Sequence, residues 1–326
     1  MRYISLTGLL LSALLATNAE AQSAKGNPFP EKPVRFVVPF TPAGTADIFA
    51  RAMSQRLAER WNQQVVIDNR PGSAGIIGSE IVAKAPADGY TLMMGITANI
   101  AINPALYAKL PYDASRDFAP VTLIAKAPYL MVLTPALPVK SVQDFIAYAK
   151  SRPGQVNYAS TGSGSAGHLT AELFSSLAGI KLVHIPYKTS AAHVVDMIAG
   201  RVQLMFSGIV SAQPQLQSGK LRAIGITGAR RSPLMPDLPT VAESGVHGFE
   251  VVGWYGVFVP AKTPPAIIAK LNADIAHTLK SPEVGERLAS EGAELSGNTP
   301  EEFAAYIRAE QVKWAKVVKI SGAQVY

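Results

Sequence analysis

From Val34 onward, short apolar runs alternate with segments of helical periodicity nearly to the end of the chain. That alternation restricts the fold more than any other feature. Val34–Phe40 is a compact apolar run, and Pro42-Ala43-Gly44-Thr45 separates it from a helical stretch over Ala46–Trp61. Within that stretch Phe49, Met53 and Leu57 recur at i+4 spacing, which gives a helix one apolar face. Gln64–Ile67 and Tyr90–Ile96 read as further strands, with Asp88-Gly89 as the turn into the second and a helix over Gly75–Ala85 between them. Ser141 followed by Asp144 forms a capping box that opens a helix through Lys150. Val156–Ser160, Leu182–Tyr187, Val202–Ser207 and Leu221–Thr227 continue the strands, and Thr240 with Glu243 is a second capping-box candidate. Thr263-Pro264-Pro265 opens a helix to about Leu279, and Thr299-Pro300-Glu301-Glu302 opens a long last one. Such a rhythm predicts an α/β protein of mainly parallel sheets flanked by helices.

The first residues are of another kind. Arg2 precedes an almost unbroken apolar run from Ile4 to Ala16, and Ala19-Glu20-Ala21 satisfies the small-x-small cleavage rule. The run is shorter than the about 20 residues a spanning helix needs. We expect a secretory leader cut before Gln22, and an exported, soluble mature chain. The sequence has 326 residues and no cysteine, so no disulfide framework is available and stability must come from a buried core. Without a thiol the mature chain has no site for lipid tethering. At about 300 residues it exceeds the usual single core, and two domains are expected. The hydrophobic fraction of 48% is ample for both. A formal net charge of +7 favours anionic ligands over cationic ones. The basic residues form no stripe interleaved with aromatics, which argues against nucleic acid.

The most informative segment is Ser160-Thr161-Gly162-Ser163-Gly164-Ser165, with His168 beyond it, between a predicted strand and helix. Glycines let the backbone approach a ligand, hydroxyls donate, and the amides at a helix start favour an anion. Ligands of α/β folds sit beyond the carboxyl ends of the strands, where this loop is expected. Gly162, Gly164 and Gly167 also match the dinucleotide spacing. The following strand ends His184-Ile185-Pro186-Tyr187-Lys188 without the acid that would hold a ribose, so no nucleotide cofactor is expected. A second turn, Pro42-Ala43-Gly44-Thr45, stands in the same strand-to-helix position with Asp47 in the first helical turn. Asp47 suits stabilisation of the helix start, while the loop amides and Thr45 are candidates for ligand contact.

Signs of catalysis are poor. There is no G-x-S-x-G elbow, no H-E-x-x-H and no thiol nucleophile. His168, His184, His193, His247 and His277 show no metal-ligand spacing. Ser165 and His168 lack an orienting acid nearby in sequence. The chain reads as a binder with neither metal nor cofactor.

Several blocks together resemble a known family. They are Phe36-Val37-Val38-Pro39-Phe40 through Asp47, Asp68-Asn69-Arg70-Pro71-Gly72, Asp88-Gly89-Tyr90-Thr91-Leu92, and Leu110-Pro111-Tyr112-Asp113. Further along stand Tyr158–Leu169, His184-Ile185-Pro186-Tyr187-Lys188, Leu238-Pro239-Thr240 with Glu243 and Gly245, Trp254, and Pro260 to Pro264. The pattern is similar to the receptors of tripartite tricarboxylate transporters, the TctC/Bug family, over essentially the whole mature chain. The resemblance implies a two-lobed periplasmic-binding-protein fold with the ligand closed between the lobes. With the strand-like passages Pro128–Pro138 and Phe249–Pro260 as crossovers, we expect a leader over 1–21, lobe 1 over 22–127, lobe 2 over 128–250, and a return to lobe 1 over 251–326.

The family's implied role is periplasmic capture of a small carboxylate and delivery to integral-membrane transporter subunits, as a monomer and without cofactor. Carried over by position, the ligand-binding residues are Pro42, Ala43, Gly44, Thr45 and Asp47 in one lobe. In the other they are Ser160, Thr161, Gly162, Ser163, Gly164, Ser165 and His168, with Ser207 in the turn after Phe206. Two departures matter: Ala43 replaces the first glycine of a usual Pro-Gly-Gly, and Ser207 stands where aspartate is frequent. A methyl at Ala43 is expected to narrow the pocket or to exclude a positive φ there. Loss of the acid at Ser207 favours a di-acid or aromatic acid over an amino acid. An exported hydrolase of a small ester and a periplasmic partner of a sensor are the alternative functions.

Overall fold

The structure is a computed structural model, and it describes residues 29–323. The expected leader therefore lies outside the described residues. Strand β1 (Val34–Val38) runs between β2 (Val65–Asn69) and β3 (Thr91–Ile96), parallel to both. Its sequence Val-Arg-Phe-Val-Val is buried almost throughout, as a parallel strand covered on both faces requires. Helix α1 (Thr45–Trp61) covers one face by burying Phe49, Met53, Leu57 and Trp61. It stops where Asn62 turns left-handed, at φ 49°. Helix α2 (Ile76–Ala83) follows β2, and a turn of π-helix over Ala98–Ile102 leads into the short α3 (Asn103–Leu106).

A second parallel group is built from the middle of the chain. It comprises α4 (Val142–Lys150), β5 (Val156–Ser160), α5 (Ala166–Ala178), β6 (Leu182–Pro186), α6 (Ser190–Ile198) and β7 (Leu204–Gly208). Strand β5 pairs in parallel with β6 and β7. Helix α7 (Ile209–Gln217) and β8 (Arg222–Ile226) complete it.

Strand β4 (Phe118–Leu133) joins the two groups. Its first part, Phe118–Pro128, pairs antiparallel with β9 (Val252–Pro260), while Tyr129–Leu133 pairs antiparallel with β7 and β8. Strand β9 then pairs antiparallel with β3. The sheets are thus parallel on their flanks and antiparallel at the centre, because β4 and β9 run past each other in opposite directions. The crossing strand begins ten residues before the expected Pro128–Pro138 passage. The chain closes with α8 (Pro265–Leu279), α9 (Pro282–Ala289), the short β10 (Glu294–Leu295), which pairs with β4, and α10 (Pro300–Ser321).

Two buried acids fasten these late helices. Asp274 on α8 accepts from Arg60 Nε at 2.6 Å and Trp61 Nε1 at 2.7 Å, tying α8 to α1. Glu310 on α10 accepts from the indoles of Trp254 and Trp314, both at 3.0 Å, tying α10 to β9. The capping boxes at Ser141 with Asp144 and Thr299 with Glu302 form as expected. Thr240 and Glu243 make the same reciprocal bonds, at 2.9 Å each, but they close a turn with no helix behind it.

Candidate ligand site

Three helix starts meet where β1, β5 and β7 end, the carboxyl side on which α/β folds place ligands. The loop before α1 is held from below by Asp47. Its carboxylate accepts from the Ala43 amide at 2.9 Å, from Arg51 Nε at 2.9 Å and 3.0 Å, and from Asn69 Nδ2 at 3.0 Å. Asn69 also donates to the Phe40 carbonyl, so both ends of the loop are pinned. Burial alone would raise this carboxyl, but Arg51, the Ala43 amide and Asn69 outweigh it and hold it below the usual range. Asp47 is 3% exposed and directs its carboxylate inward. The shape it fixes includes Ala43 at φ 62°, so the methyl does not exclude a positive φ as expected; the Asp47 bond offsets the strain. Pro42 and Ala43 are exposed, and Gly44 and Thr45 are half-buried. No side chain caps the start of α1, which leaves its first amides open to an anion.

Thr45 faces the other strand group. A Cβ on Gly208 would lie 2.9 Å from Thr45 Oγ1, so the starts of α1 and α7 touch. Near Thr45, burial and mutual influence raise the Tyr255 hydroxyl on β9 well above its usual value, and burial pushes the Tyr129 hydroxyl on β4 up to about 12. Thr45 also donates to Glu291 Oε2 at 3.3 Å, and the Val210 amide in the first turn of α7 lies near enough to the Glu291 carboxyl to favour its ionised form. Glu291 is 1% exposed and its Oε1 has no partner among the described residues. Burial raises its carboxyl above the usual range despite the Thr45, Val210 and Arg287 contributions. The start of α7 therefore has a carboxyl group of the chain itself beside it. Ser207 is half-buried beside it, its hydroxyl turned to the Gly208 carbonyl at 3.4 Å.

In the second loop Ser160 Oγ accepts from the Gly162 amide at 3.1 Å and donates to the Gly162 carbonyl at 3.0 Å. His184 Nε2 on β6 lies 2.6 Å from the same hydroxyl. The Gly164 amide donates to His168 Nδ1 at 3.1 Å, and Ser165 caps α5 by accepting from the His168 amide at 3.3 Å. Gly162 at φ 112° and Gly164 at φ 81° hold conformations that L side chains rarely adopt. Ser163 stands between them, half-buried, with no hydrogen-bond partner for its amide or hydroxyl among the described residues. Its carbonyl accepts from Tyr107 Oη, just after α3, at 3.4 Å. Thr161 is exposed.

Thr45 of the first loop thus meets Gly208 at the start of α7, and Ser163 of the second loop meets Tyr107 just after α3. The open donors are the α1 amides and the Ser163 amide and hydroxyl. Ser160 and Ser165 spend their hydroxyls on the second loop, His168 spends Nδ1 there, and Asp47 spends its carboxylate on the first loop, Arg51 and Asn69.

The model of the tripartite tricarboxylate transporter family receptor matches residues 49–323. The chain belongs to this receptor family. Protein BugT of Bordetella pertussis is 35% identical to the receptor over 325 residues, covering 99% of this chain and 100% of that one. Among solved structures, Rhodopseudomonas palustris Rpa4515 with adipate is 41% identical, with a TM-score of 0.87 over 91% of this chain and all of the other. MatC from Rhodopseudomonas palustris with bound malate is 33% identical, with a TM-score of 0.83 over 89% of this chain and 100% of that one. These likenesses establish the two-lobed binding-protein fold for the receptor.

Sequence reasoning missed Glu291, Tyr107 and His184 as parts of the receptor's site. Glu291 sits in an ordinary-looking Glu-Gly-Ala-Glu stretch, and only the return of the chain brings it to α7. A separate cavity of about 490 Å³ is lined by Lys126, Pro128, Arg230, Glu250, Tyr306 and Glu310, among others. Most of its charges are paired within the receptor: Arg230 with Glu294, and Lys313 with Glu310. Among the described residues there is no metal-binding group, and no helix is long and apolar enough to cross a membrane.

Proposed function

We propose that this receptor captures a small carboxylate in the periplasm and passes it to the membrane subunits of a tripartite tricarboxylate-type transporter. The carrying observation is the coexistence of an uncapped α1 start in one strand group with unpartnered donors at Ser163 in the other, both at strand-to-helix loops. Such neutral, fixed donors favour an ionised carboxylate, since hydrogen bonds to a charged acceptor are about twice as strong as neutral ones. The adipate of Rpa4515 and the malate of MatC support a di-acid as ligand. Ser207, in place of an acid, is consistent with a second carboxylate nearby.

The expected division, with lobe 1 in 22–127 and 251–326 and lobe 2 in 128–250, is supported by the change of strand partner at Pro128 and Tyr129. Cleavage before Gln22 and a monomeric mature receptor complete the proposal. Ser160 and His184 have the spacing of a nucleophile and its base, yet this does not favour a hydrolase. Ser160 is 4% exposed, His184 has no carboxylate partner among the described residues, and burial pushes its imidazole down to about 4, too weak a base at neutral pH.

A thermal-shift screen tests the reading. Aliphatic dicarboxylates from malonate to azelate and substituted benzoates are the panel. A ligand that binds only the folded receptor at 100 times its dissociation constant adds about 2.7 kcal/mol of stability. At least one panel member should raise the melting temperature and be recovered unchanged. No shift across the panel, or conversion of the acid to a product, would overturn the proposal.

A further inference from the structure

We propose that His168 and His184 are positioning residues, which fix the shape of the Ser163 loop without touching the ligand. The inference rests on the carboxylate-receptor reading for its consequence, but its geometry stands apart from it. Ser163 hangs between two glycines whose backbone angles leave them unusually free. Each glycine is tied to one imidazole. On the amino side, Ser160 Oγ grips both the amide and the carbonyl of Gly162, and His184 Nε2 holds that hydroxyl at 2.6 Å. On the carboxyl side, the Gly164 amide donates directly to His168 Nδ1 at 3.1 Å. That bond places the His168 proton on Nε2.

The two rings support each other. They stack at 4.1 Å between centroids, 18° from parallel, and Tyr158 stacks on His184 at 4.9 Å. The Tyr158 hydroxyl is in turn fixed by Glu172 on α5, at 2.5 Å. Tyr158 and the partner imidazole are the titratable groups stacked with each ring, and Glu172 meets this stack through the Tyr158 hydroxyl. His168 is 4% exposed, so its Nδ1 is spent behind the loop and does not reach into the cleft. Burial, with repulsion from His184, pushes His168 down to about 3, and burial pushes His184 down to about 4. Both rings are therefore neutral above about pH 5, the state in which Nδ1 can accept. Protonation of His168 at low pH removes the acceptor of the Gly164 amide, so loop order and ligand affinity both fall as the pH drops towards 3.

The test compares His168→Phe, which keeps a flat ring but loses the acceptor, with His168→Asn, whose Oδ1 occupies the place of Nδ1. Two quantities are measured: exchange of the Gly164 amide by nuclear magnetic resonance, and affinity for adipate or the best acid of the panel. The Gly164 amide should be protected in the wild type and in His168→Asn, and exposed in His168→Phe. Affinity should fall about tenfold or more in His168→Phe, the loss expected for one charge-assisted contact misplaced. It should return to within about threefold of wild type in His168→Asn. If His168→Phe does not fold, His184→Gln against His184→Leu gives the same comparison at Gly162. Equal Gly164 protection in both His168 variants would overturn the proposal, and so would equal affinity. A wild type that binds no acid but shows the protected Gly164 amide would sink the receptor reading and leave the positioning role standing.

Discussion

Replacing Gly164 with valine should reduce ligand affinity by at least about 100-fold, corresponding to about 2.7 kcal/mol. Gly164 sits at φ 81°, where a Cβ would lie 3.1 Å from Leu106 Cδ2 and 3.3 Å from Tyr107 Cε2 and Oη. Leu106 and Tyr107 belong to the opposite strand group, so a side chain at this position crowds the contact between the two groups. The left-handed angle costs a β-branched residue about 1–2 kcal/mol with or without ligand. That part lowers the melting temperature modestly; the crowding against Tyr107 displaces the Ser163 loop and subtracts from binding. Gly164→Ala should fall between wild type and Gly164→Val. Calorimetric titration beside melting curves separates the two effects. Wild-type affinity in Gly164→Val would move the ligand away from this loop.

Ser163→Ala should cost about 1.5–3 kcal/mol of binding, or roughly 10- to 150-fold, with an unchanged melting temperature. The Ser163 hydroxyl makes no bond within the described residues, so its removal breaks nothing in the free receptor. The contrast is Ser160→Ala. Ser160 Oγ holds Gly162 and His184, so its loss should weaken loop and ligand together. If Ser163→Ala binds as wild type does, the donor must be sought at the α1 start. A drop in melting temperature equal to that of Ser160→Ala would make Ser163 structural.

How much of this was legible in the sequence depended on how local each cause is. The capping boxes at Ser141 and Thr299 were readable because the residues that make them are three apart. The same chemistry at Thr240 misled, since a box closes the start of a helix but does not supply the apolar face that sustains one. The first part of β4 was invisible because Phe118–Ala127 is stabilised by β9, far along the chain. No local period marks such pairing. In the site, the two strand-to-helix loops could be found from their glycines and hydroxyls. What could not be read was which polar atoms face the cleft. Asp47, Ser160 and His168 turn inward to shape the loops, and Glu291 comes from a distant segment to lie beside the start of α7.

The most direct test of the account is a titration of the mature receptor with the best acid of the panel and, separately, with its primary amide. The site is described as a set of fixed, neutral donors that await an ionised carboxylate. Amide and acid have nearly the same shape, but the amide lacks the charge and brings its own donors to face those of the loops. The acid should bind one to one, and the amide at least about tenfold more weakly. Equal affinity for acid and amide would contradict an anion site at these helix starts.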